Sequence, residues 1–168
     1  MKDLIRIKKG RVHSTIDVSA VMKDGEAFAE ASDYMYGMFD REVFDVVLCV
    51  DTAGSYFADA VAKRLCKKLV CMWDNPAQTQ QPVIEYTTHH SSHRLTAPPG
   101  ALSEGQRAVV IADVLSHGKD VQAAVRIAES QGVNVIKIGA FVEDKEFGAR
   151  KKLLKGIPVE CMFPSDDL

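Results

Sequence analysis

Apolar positions recur along this chain with two alternating periods. Between residues 25 and 39, Ala27, Phe28, Ala31, Met35 and Met38 fall on one helical face, behind Asp24, whose short carboxylate suits an N-cap. Val43 to Val50 is a near-continuous β-branched run of the kind that forms a parallel strand covered on both faces. A helix is predicted through Phe57, Val61, Ala62 and Leu65, then a short strand from Lys68 to Met72. Gln106 to Asp113 reads as a second buried strand, and Val121, Ala124, Val125 and Ala128 as a helix stopped by Gly132 at C′. Val133 to Val142 reads as another strand. Asp144 is expected to cap a short helix running through Phe147 and Leu154 to Gly156, and Ile157 to Met162 to form a last, edge strand.

The segment 74–106 breaks this rhythm. It holds Pro76, Pro82, Pro98 and Pro99 among Gln, Thr, Ser and His clusters, with Val83 to Thr88 as a strand of a flexible hairpin. A long irregular stretch inside a compact domain is commonly functional or mobile, so residues 75–106 are expected to be a mobile loop. The alternation of strands and helices elsewhere predicts one α/β domain over residues 1–168: an open parallel sheet with helices on both faces. Its ligand site belongs at the carboxyl ends of the strands.

Composition narrows the function. The 168 residues are 46% hydrophobic and 26% charged, which excludes disordered and collagen-like classes. With 21 Lys and Arg against 23 Asp and Glu, the net charge is −2, without the basic excess of a nucleic-acid binder. An anionic ligand therefore needs a local site. No run reaches the length of a membrane span and the N-terminus lacks a signal-peptide core, so a soluble cytoplasmic protein is expected. Cys49, Cys66, Cys71 and Cys161 show no metal-ligand spacing and are expected to be thiols of a reducing compartment.

Two strand-to-helix turns carry candidate chemistry: Asp51-Thr52-Ala53-Gly54-Ser55 and Asp113-Val114-Leu115-Ser116-His117-Gly118. Each joins an Asp to small hydroxyl and Gly residues where a helix begins. Such turns offer unpaired N–H groups to a phosphate, and their carboxylates can meet ribose hydroxyls or a divalent ion. Each Asp or Ser serves equally as a plain helix cap. His89, His90 and His93, with Arg94 beside them, are either cations of the loop or solvated side chains; Trp73 is either a rim side chain or a stacking surface for a base.

In order and context these segments resemble the type I phosphoribosyltransferases, most closely the adenine type. Asp17 to Phe28 is similar to the family's "D-I-T-P-L-L-x-D-P-x-A-F", Phe44 to Ala58 falls at its diphosphate loop, and Val109 to Asp120 at its ribose-5-phosphate motif. Gly148 to Val159 resembles "G-R-x-K-L-x-G-Y-P-V". The resemblance implies a five-stranded parallel core with a small hood built from roughly residues 1–20. It implies transfer of a 5-phosphoribosyl group from its 1-diphosphate to a purine or related base, with Mg2+ as cofactor, a nucleobase or nucleoside monophosphate as partner ligand, and a homodimer. It assigns Asp113 and Glu85 to the reacting centre; Ser116, His117, Gly118, Lys119 and Asp120 to the 5-phosphate; and Asp51, Thr52, Ala53 and Gly54 to the diphosphate.

The chain also departs from that pattern. Ala112 replaces the motif's first acidic residue, Ala53 the diphosphate-loop arginine, and Trp73-Asp74-Asn75-Pro76 a basic stretch. Lys119 removes a glycine, and Asp120 sets a carboxylate where a hydroxyl meets the phosphate. Each lost charge-assisted contact costs on the order of 1.5–3 kcal/mol, which keeps open a second reading: a binding or regulatory protein on the same fold. An unrelated dinucleotide fold has little in its favour, since neither GxGxxG nor GxxxxGK[ST] occurs.

Overall fold

The computed structural model describes residues 1–9, 14–50, 53–74, 82–87, 92–152, 154 and 156–168. In chain order the elements are β1 (Arg6–Lys9), β2 (Ser14–Asp17), α1 (Ser19–Lys23), α2 (Gly25–Gly37), β3 (Val46–Val50), α3 (Gly54–Arg64), β4 (Lys68–Asp74), β5 (Val83–Thr87), β6 (Ser92–Thr96), β7 (Arg107–Leu115), α4 (Lys119–Ser130), β8 (Asn134–Glu143), α5 (Ala149–Lys152) and β9 (Val159–Pro164). β1 and β2 form a separate antiparallel pair within the N-terminal segment.

The main sheet has the order β5-β6-β4-β3-β7-β8-β9. β4, β3, β7, β8 and β9 run parallel, the core that the strand–helix alternation predicts. β6 and β5 extend the sheet antiparallel beyond β4. Side chains alternate between two apolar layers. Val46, Leu48, Val110 and Ala112 pack under α4, whereas Val47, Cys49, Val109 and Ile111 pack under α2 and α3. Helices therefore cover both faces, and β3 is buried along its whole length. Among the described residues no helix is long and apolar enough to cross a membrane.

Several local signals act as the sequence implies. The Asp24 carboxylate accepts from the N–H groups of Glu26 and Ala27, capping α2. Gly132, at φ +72°, follows the C-cap of α4. β9 forms the sheet's edge.

Other boundaries move. β7 does not stop at Asp113: Val114 and Leu115 continue the ladder against Val142 and Glu143 of β8, because the partner strand is long enough to pair them. Nor does Asp144 start a helix. Its carboxylate accepts from Glu146 N in a turn over 145–147, and Gly148, at φ +63°, separates that turn from α5. Within 74–106, Ser92–Thr96 is a second hairpin strand, with Leu95 and Thr96 buried. Cys49 is a buried thiol, but Cys71 is half-buried and Cys66 exposed.

Candidate ligand site at the sheet switch point

After β3 the chain moves to β4 on one side of the sheet, and it later returns as β7 on β3's other side. The strand order thus reverses between β3 and β7, and a crevice is expected beyond their carboxyl ends. Both candidate turns stand there. Gly54, the buried first residue of α3, lies so close to β7 that a β-carbon on it would meet Asp113 N at 2.9 Å and Ala112 Cα at 3.2 Å. Only a residue without a side chain lets the turn after β3 rest against the end of β7.

The second turn forms one wall of a cavity of about 250 Å³ lined by Val114, Ser116, His117, Gly118, Lys119 and Asp120, with Tyr86 of β5 and His93 of β6 opposite. Gly118 is the N-cap of α4 at φ +70°; a β-carbon there would collide with that of Ala149 at 2.7 Å. The two β5–β6 residues are a cross-strand pair, their rings stacked with centroids 4.9 Å apart. His93 Nδ1 donates to Asp74 Oδ2 at 2.6 Å, and Arg94 N donates to Asp74 Oδ1 at 2.9 Å. The Arg94 N–H, then His93, hold the Asp74 carboxyl below the usual carboxylate range. Burial, then the charges of Asp120 and Asp74, push the Tyr86 hydroxyl up to about 12.

The sequence-predicted residues distribute unevenly. Ser116, His117, Gly118, Lys119 and Asp120 come together as one cup. Asp113 is half-buried near the end of β7, against Gly54; Ala53 is half-buried beside it. Glu85 alternates away from Tyr86 on β5, is largely exposed, and lies 3.4 Å from Arg94. Lys119 Nζ donates to Thr87 O at 2.6 Å, tying α4 to the hairpin. The His117 ring packs on Phe147 with centroids 3.8 Å apart, a partner thirty residues away that no local pattern announces. Trp73 is partly exposed at the end of β4, where it pairs in register with Thr96. Asp51, Thr52, Asn75, Pro76, His89 and His90 lie outside the described residues. Tyr86 and His93 reach the cavity through the β5–β6 pairing, with Asp74 of β4 bonded to His93, and no pattern in the Ser92–Thr96 segment announces it.

Metal chemistry has one foothold here. Among the described residues no group of three or more His, Cys, Asp or Glu side chains is placed to hold a metal ion. A fully protein-built cage is thereby not offered. Mg2+ needs less, since it keeps waters and binds through one or two carboxylates plus substrate phosphates. Asp113, at the crevice, fits that requirement.

Beside the cup, Glu143 at the end of β8 is buried and meets Arg150 in a two-pronged pair, Nε to Oε1 at 3.1 Å and Nη2 to Oε2 at 2.7 Å. Burial pushes the Glu143 carboxyl up, but Arg150, Cys161 and Lys145 outweigh it and hold the group below its ordinary value. Arg150→Ala leaves that carboxylate buried without its cation, and we expect a loss of about 2–3 kcal/mol of stability in urea unfolding near neutral pH. A depressed carboxyl stabilises the fold above its unfolded pKa, and that contribution is lost as pH falls through the folded value. The gap between wild type and Arg150→Ala should therefore narrow below the ordinary glutamate value of 4.5. A gap that stays constant on acidification would show that the ion pair is not its source.

The phosphoribosyl transferase domain family model matches residues 18–161. The adenine phosphoribosyltransferase of Symbiobacterium thermophilum is 30% identical over 140 residues, covering 82% of this chain and 81% of that protein. The Thermotoga maritima enzyme of the same name is 29% identical over 150 residues, covering 88% and 85%. Among solved structures, adenine phosphoribosyltransferase from Thermoanaerobacter pseudethanolicus superposes with a TM-score of 0.85 at 26% identity, covering 97% of this chain and 96% of that one. The Trypanosoma brucei adenine phosphoribosyltransferase, in complex with AMP, pyrophosphate and ribose-5-phosphate, has a TM-score of 0.84 at 13% identity, a likeness of fold, and covers 99% of this chain and 78% of that one. With the crevice at the β3–β7 switch point and a family match that runs from residue 18 into β9, this chain belongs to the phosphoribosyltransferase family, on its adenine-type side.

Proposed function

We propose that this chain transfers a 5-phosphoribosyl group from its 1-diphosphate to a ring nitrogen of a purine base, as a purine-salvage enzyme. The observation that supports this reading is the close approach of the turn after β3 to the end of β7, Gly54 against the backbone of Ala112 and Asp113. It supports a reading in which the diphosphate and ribosyl parts of one donor meet at a single crevice. The ribosyl group lies along Asp113 and the 116–120 cup, and the departing diphosphate lies at the 53–55 turn. Mg2+, held by Asp113 together with the donor's own oxygens, would supply charge neutralisation of the departing diphosphate. Asp113 takes the ribose hydroxyls and so fixes C1 relative to the incoming base. The β5–β6 hairpin, tied down by Lys119 on Thr87 O, stands over the cup, where it limits water around the reacting centre. Glu85 belongs to this reading as a hairpin residue beside the reacting centre, although its side chain is exposed here.

The test is direct. Purified protein is incubated with the phosphoribosyl donor, Mg2+ and a panel of bases, and nucleotide and diphosphate are measured by chromatography. Formation of a purine mononucleotide is expected; no nucleotide from any base would refute the reading. A second reading, nucleotide binding without turnover, is favoured by Asp120 in the cup and by the neutral Ala53 and Ala112. Calorimetry separates the two, because tight nucleotide binding with no diphosphate release belongs to the second alone.

A further inference from the structure

The start of α4 is already engaged by an anion, and the anion belongs to the chain. A helix N-terminus presents N–H groups without intrahelical partners, which is what makes it a seat for phosphate. Gly118, the N-cap, has no side chain to meet them. Asp120, the second residue of the helix, brings a carboxylate there instead: the N–H groups of Val121 and of Asp120 itself favour its charged form, although burial outweighs them. The same side chain lines the cavity.

Of the groups around it, His93 favours that charge and the others do little to balance it. Tyr86 faces the cavity from β5 as a neutral phenol, and His93 faces it from β6 with Nδ1 committed to Asp74 of β4. His117, from the turn before the helix, packs on Phe147. Lys119, on α4 itself, donates to the Thr87 carbonyl. A phosphomonoester entering this cup brings about −1.5 to −2 charges. It would meet a carboxylate on the donors that it needs, and two anions sharing one partly closed site cannot both keep their charge cheaply.

We propose that Asp120 is the specificity-determining residue of the cup: it makes admission of a 5-phosphate conditional on its own carboxylate losing its charge. This rests on the reading of the cup as a ribosyl site. Seating the phosphate then takes up a proton, Asp120 passing from carboxylate to carboxylic acid as the ligand binds. A ribosyl ligand with a free 5-hydroxyl has no such requirement. Burial already moves the Asp120 carboxyl upward, in the direction that protonation requires.

Adenosine and AMP, which differ only at the 5-position, are the probes. Their dissociation constants are measured by calorimetry on the full chain, wild type and Asp120→Asn, from about pH 5.5 to about pH 8.5, a range that brackets the second ionisation of the phosphate. Asparagine keeps the shape and an acceptor oxygen for the helix start, and it removes the charge. At the alkaline end, Asp120→Asn should bind AMP at least about tenfold more tightly than wild type, while adenosine affinity changes by less than about threefold. On acidification the AMP-to-adenosine ratio should improve more in wild type than in Asp120→Asn. The phosphate's own ionisation is common to both proteins, so the difference reports Asp120 together with the His93 that it faces. Asp120→Thr, which offers a hydroxyl, serves as the second variant and should shift the ratio in the same direction. An unchanged ratio in both variants overturns the proposal. Adenosine binding with that unchanged ratio would overturn it and leave the ribosyl site standing. Failure of both ligands to bind all three proteins would overturn the ribosyl reading and the proposal with it.

Discussion

Gly54→Ala is expected to cost about 1–3 kcal/mol of stability and to lower turnover about a hundredfold. Gly54 opens α3, and its missing side chain faces the backbone of β7. An added β-carbon would stand 2.9 Å from Asp113 N, 3.2 Å from Ala112 Cα and 3.3 Å from Ala112 C. All three are main-chain atoms of β7, a strand held between β3 and β8, so no side chain can swing aside to make room. Relief comes only from moving the start of α3 away from β7, and that movement carries the 53–55 turn out of its register with Asp113. The stability cost follows from overpacking, and the kinetic cost from misplacing one half of the crevice relative to the other. Gly25→Ala is the matched control, since Gly25 also opens a helix and a β-carbon there meets nothing within 4 Å. Urea unfolding and turnover should show Gly25→Ala unchanged or slightly more stable. Equal behaviour of the two variants would mean that the close approach at Gly54 is not what aligns the turns.

That contact also shows what a sequence discloses and what it withholds. The apolar run around Val47 and the period-3.6 face of α2 are legible because each element's burial is written in its own residues: β3 is buried throughout, and Ala27, Ala31 and Met35 are buried on α2. The fold class follows from such elements in series. β6 is different. Ser92, His93 and Arg94 are not apolar, and the strand exists because Leu95 and Thr96 find cover and its backbone pairs with β4 and β5. The extra length of β7 likewise depends on β8 being there to pair it.

The candidate site divides along the same line. The identities of the cup residues can be read from Ser116 to Asp120, because they are contiguous and precede a helix. Their commitments cannot, because each is made by a distant residue: Lys119 by Thr87, His117 by Phe147, and His93 by Asp74. Counting cations along the sequence therefore overstates the charge available to a ligand. Three of the candidate positive groups are already engaged with the protein, and the carboxylate of Asp120 lines the same cavity.

Asp113→Asn should reduce turnover at least about tenfold while leaving the fold intact. Asp113 is half-buried near the carboxyl end of β7, beside the turn that Gly54 holds in place. Asparagine matches it in size, so the close backbone contact with Gly54 is preserved and the unfolding midpoint should barely move. On the proposed reading, what changes is the charge offered to ribose hydroxyls and to a divalent ion when ligand is bound. The loss should accordingly fall on kcat/KM in the donor-dependent reaction. Unchanged kinetics would remove Asp113 from the site; a large drop in the unfolding midpoint would make its role structural. The comparison with Asp120→Asn is the sharper one. The same substitution, made at the two ends of one turn, is expected to weaken handling of a phosphoribosyl ligand at Asp113 and to improve its binding at Asp120. A carboxylate that faces the hydroxyls and the metal helps the ligand, whereas one seated on the helix N-terminus competes with it.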